Sequence, residues 1–158
     1  MVAYTDSLGF NKGTGPLPDD ALAKVFVADV TLDFTKIAAA RVAAGVAAIA
    51  VGDTLVAMII PAKCLVENVG MELVTASSNA TATIAIGDSS AASGYLAAQA
   101  LATPGIYGGT PVLSAGAYLP TLSGGKVYYT ADTLLLTFGT AIPTAALVRI
   151  FATISDLS

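Results

Sequence analysis

Apolar residues in this chain recur at every second position, in short runs that end at Gly, Pro, Asn or Asp. That period fits a half-buried strand and does not fit a helix, whose apolar face recurs every three to four residues. In the run Lys24 to Phe34, Phe26, Ala28, Val30, Leu32 and Phe34 share one parity, while Val25, Val27, Asp29, Thr31 and Asp33 share the other. Ala82, Ile84 and Ile86 alternate in the same way with Thr81, Thr83 and Ala85. Near the end, Val148, Ile150, Ala152 and Ile154 alternate with Leu147, Arg149, Phe151 and Thr153. Apolar groups on both parities there predict an interior strand.

The stretch Asp53 to Asp88 holds three such segments in succession, Leu55 to Ile60, Leu65 to Val74 and Ala80 to Ile86, each rich in Val, Ile and Thr. These are the composition and bounds of β-strands, and we read the block as the antiparallel centre of a sandwich. In its middle segment the odd positions Leu65, Val69, Met71 and Leu73 form the expected core face, with Glu67 as the exception. Lys126 to Thr130, Thr133 to Phe138 and Ala145 to Ile154 supply further strands, with a turn through Thr140 to Thr144. The total of about eight predicts an all-β fold: a single-domain antiparallel β-sandwich, jelly-roll-like, over residues 24–158.

Other segments are less regular. Thr35 to Ala50 reads TKIAAARVAAGVAAIA, which predicts a short helix near Ile37 to Ala44, because Gly45 weakens its continuation. Val46 to Ile60 is then expected as one strand bent around Gly52 and Asp53. Residues 1–23 have no periodicity and carry Gly9, Gly13, Gly15, Pro16 and Pro18, so an irregular N-terminal arm is expected there. Ser89 to Gly125 contains no charged residue and is punctuated by Pro104, Pro111, Pro120, Gly108-Gly109 and Gly124-Gly125. Short strands and loops are predicted, fastened to the sandwich by Tyr95, Leu96, Ile106, Tyr107, Val112, Leu113, Tyr118 and Leu119.

The 158 residues fit one domain. Only 11% are charged, against roughly 25% in an average globular protein, which predicts a smooth surface suited to packing on other protein. Seven basic residues stand singly among eleven acidic ones, so no basic patch exists for direct nucleic-acid binding. The most apolar run, Ile37 to Val51, is interrupted by Arg41 and falls short of the roughly 20 residues of a membrane span. The first ten residues, MVAYTDSLGF, have neither the basic nor the apolar region of an export signal. Cys64 is the single cysteine, which excludes an intrachain disulfide and assigns it to the core.

The chain has no histidine, so the usual general base and imidazole metal sites are excluded. Asp53-Thr54 and Asp132-Thr133 resemble the paired aspartates of acid proteases, but leucine follows each where those enzymes need glycine. Lys12 to Gly15 lacks the order of a phosphate loop, and Asp29 and Asp33 lie roughly 13 Å apart along a strand, too far for one metal. Asp88, in Gly87-Asp88-Ser89-Ser90, is read as a solvated turn in preference to a calcium ligand. Asn79-Ala80-Thr81 is a glycosylation sequon that matters only in a secreted eukaryotic protein. No catalytic, cofactor or metal residue is assigned, and no enzymatic activity is expected.

Several blocks carry a resemblance: Ile60 to Val66, Leu73 to Ala76, Ala80 to Asp88, Gly94 to Leu96, Tyr128 to Thr137 and Val148 to Ala152. Together they resemble small structural proteins of tailed double-stranded DNA bacteriophages, and in particular capsid decoration (cement) proteins of the β-sandwich type. The resemblance covers Lys24 to Leu157. It implies a virion protein on the outer capsid surface that clamps major capsid protein at subunit joints. It further implies self-association, a homotrimer first and a dimer second, with no cofactor. The arm residues Tyr4, Leu8, Phe10, Lys12 and Leu17 are the expected capsid or intersubunit contacts. Two alternatives stand beside it: a head-fibre or tail component, and a surface carbohydrate- or receptor-binding module using Tyr95, Tyr107 and Tyr118 as loop contacts.

Overall fold

In the computed structural model, which describes residues 4–5, 11–12, 24–108 and 125–157, the alternating runs become strands. In chain order the elements are β1 (Tyr4–Thr5), β2 (Asn11–Lys12), β3 (Lys24–Asp33), α1 (Phe34–Ala43), β4 (Thr54–Ile60) and β5 (Cys64–Thr75). There follow β6 (Thr83–Gly87), β7 (Leu96–Ala100), β8 (Gly105–Gly108), β9 (Lys126–Tyr128), β10 (Asp132–Phe138) and β11 (Leu147–Asp156). One sheet has the order β4-β10-β6-β7. The other runs β3-β11-β5-β8, with β9 pairing the same β5 further along. All pairings are antiparallel. The chain changes sheet at every connection from β3 onward except β6 to β7 and β8 to β9, which interleaves the two sheets of the sandwich.

The inward parities meet in one core. Ile150, Val148 and Ile154 of β11 face Ile84 and Ile86 of β6 and Leu134 and Leu136 of β10, all of them buried. β11 is interior as expected, flanked by β3 and β5 along its whole length. Phe34 sits edge-to-face on Phe138, 5.7 Å between ring centroids, and so fixes the start of α1 to the core. Asp33 caps that helix: its carboxylate accepts from the N–H of Thr35 at 3.0 Å and of Lys36 at 3.2 Å. Gly45, at φ +66°, ends the helical turn in a conformation that a side chain disfavours.

Four sequence expectations are corrected. The three strands of the Asp53 to Asp88 block do not form one centre: β4 and β6 flank β10 in one sheet while β5 lies in the other. Leu65 is only half-buried, because a bulge at Glu67 switches the inward parity of β5 from Cys64 and Val66 to Val69, Met71 and Leu73. Val46 to Val51 is not strand; it is an exposed apolar loop, closed by a turn at Gly52. Ile106, expected as an anchor, is 64% exposed on the outer face.

Tyr4–Thr5 and Asn11–Lys12 pair with each other, a two-residue ladder within the segment expected as an irregular arm. Val112, Leu113, Tyr118 and Leu119 lie outside the described residues.

Candidate functional site

The residues with chemical capacity fall into separate places. Asp53 and Asp132 stand at opposite ends of the β4/β10 ladder, where Thr54 pairs Thr137 and Ile60 pairs Asp132. Six strand residues separate them by roughly 20 Å, so they form no dyad. Each has a local role: Asp53 accepts from the Ala50 N–H at 2.8 Å, and Asp132 accepts from its neighbour Thr133 N–H at 2.7 Å and from the Ser89 hydroxyl at 2.8 Å. Asp29 pairs with Arg149 at 3.1 Å, and Asp33 is the helix cap. Asn79 accepts from the Thr81 hydroxyl at 2.9 Å within its own turn. Among the described residues no group of three His, Cys, Asp or Glu side chains gathers around a possible metal.

Asp88 is not a solvated turn. Its side chain is fully buried and forms an ion pair with Lys126, while the Tyr128 hydroxyl donates to the same oxygen at 2.6 Å. Its other oxygen accepts from the N–H groups of Ser90 at 2.9 Å and Ala91 at 3.0 Å. Burial alone would raise this carboxyl, but the donors Lys126, Tyr128, Ala91 and Ser90 outweigh it and hold the pKa down to about 2. Tyr128 is pushed well above the usual phenol range, first by burial and then by its bonds to Asp88 and Tyr95. The Tyr95 and Tyr128 hydroxyls lie 2.7 Å apart. The cluster ties the loop after β6 to β9; a carboxylate so fully bonded has no lone pair aimed at a substrate.

That cluster also decides the tyrosines. Tyr95 is completely buried, so it is a core residue and not a surface contact. Tyr107 is half-buried and donates to the Thr103 carbonyl at 2.6 Å. Tyr118 and, in the arm, Leu8, Phe10 and Leu17 lie outside the described residues; of Tyr4 and Lys12 only the backbone ladder is described. Cys64 is buried, with its thiol on the Pro61 carbonyl, and burial followed by the nearby Asp156 charge raises it to about 11.

The feature that stands out is apolar surface. From Thr35 to Thr54 nearly every residue is exposed; Ile37 and Ile49 alone pack on the core. Val42 is 78%, Val46 49% and Val51 58% exposed. Apart from Thr35, Lys36 and Arg41, the exposed positions of α1 carry alanine and valine, an apolar surface of the kind a helix normally buries. The charge of Arg41 is turned back on the segment itself, its Nε donating to the Ala47 carbonyl at 2.8 Å. On the outward side of the four-stranded sheet, Val56 and Ile59 are exposed beside Leu135, Thr83 and the alanines of β7. The outer face of the five-stranded sheet carries exposed apolar groups as well, Val25, Val27, Ile106 and Val127, but crossed by a charged row, Asp29, Arg149 and Glu72, on three strands.

No family of related sequences matches this chain, and no characterised protein matches it in sequence. Solved structures do. A chain of the cyanophage Pam1 capsid asymmetric unit superposes with a TM-score of 0.56 at 20% identity, covering 92% of this chain and 94% of that one. A chain of the acid-stable capsid structure of Helicobacter pylori bacteriophage KHP30 gives 0.55 at 11% identity, covering 85% and 89%. One from the capsid of Ralstonia phage GP4 gives 0.52 at 10% identity, covering 93% and 94%. At these identities the likeness is one of fold, and it runs over nearly the full length of each chain.

Proposed function

We propose that this protein is a non-enzymatic structural component of a bacteriophage virion. In this reading it decorates the outer surface of the capsid and stabilises it by binding major capsid protein at subunit joints. The observation that carries this is the near full-length fold shared with chains from three phage capsid structures. The exposed apolar surface supports it, since such area gains roughly 25 cal/mol per Å² when a partner covers it, and repetition over a symmetric lattice multiplies weak contacts. The partners are major capsid protein and further copies of this chain, a homotrimer first and a dimer second. The arm carrying Tyr4, Leu8, Phe10, Lys12 and Leu17 supplies part of the contact.

The experiment is reconstitution: purified protein is added to capsids assembled without it, and occupancy is read by electron cryomicroscopy together with the capsid melting temperature. Saturable density at repeated lattice positions and a higher melting temperature are expected. Absence of binding would overturn the reading, and undiminished occupancy after deletion of residues 1–20 would remove the arm from it.

A further inference from the structure

We draw no further inference here: the strongest candidate, the exposed apolar surface patch formed by α1 and residues 44–53, carries nothing, because both sheets expose apolar groups of the same kind and nothing in the structure shows what covers it.

Discussion

At the scale of single residues, Asp88 holds the loop after β6 to β9 from a fully buried position. Its carboxyl sits at about 2 in the folded protein against an ordinary 3.8, so the unfolded chain takes up its proton first as acid is added. That difference stabilises the native state by about 2 kcal/mol, in full above roughly pH 4, and the gain is lost as pH falls through the folded value. Asp88→Asn is expected to cost about 3 kcal/mol at pH 7 in urea unfolding, since Lys126 loses its counter-charge, and the gap to wild type should narrow below pH 3. A second residue points the other way. The Thr137 hydroxyl is buried with no hydrogen-bond partner among the described residues, so Thr137→Val should raise stability by about 1 kcal/mol in the same assay. Neither effect was legible in the sequence: Gly87-Asp88-Ser89 has the composition of an exposed turn, and the partners that bury Asp88 are 38 and 40 residues away.

At the scale of elements, α1 depends on its cap and on Phe34 more than on any amphipathic face. Asp33→Ala removes both N-cap bonds and is expected to cost about 1 kcal/mol, seen as faster hydrogen exchange of the Thr35 and Lys36 amides while β11 stays protected. Strand existence was legible wherever one face is continuously buried, as in β3, β6, β10 and β11, because burial on one side imposes the period of two. β5 was legible only in part. Its bulge shifts the parity at Glu67, and a pattern read across an inserted residue assigns Leu65 to the wrong face. The segment 46–53 misled for another reason: an apolar run that is exposed in the single chain has the composition of a buried strand, and composition cannot report what covers it.

At the scale of the whole molecule, sheet membership was the least legible property, since a strand's own residues do not say which of two sheets it joins. β11 shows what this hides: it is last in the described chain yet lies between β3 and β5. Removing residues 147–158 is therefore expected to abolish cooperative thermal unfolding and leave an aggregating chain, checked by calorimetry and sedimentation. The pairing has a further consequence in the order of synthesis. Asp29 meets Arg149 across 120 residues of chain, and at about 5–20 residues per second a ribosome needs roughly 6–24 s to make that interval. Throughout it, β3 has been made without the strand that pairs with it along its whole length, so the five-stranded sheet cannot close until residues 147–156 are synthesised.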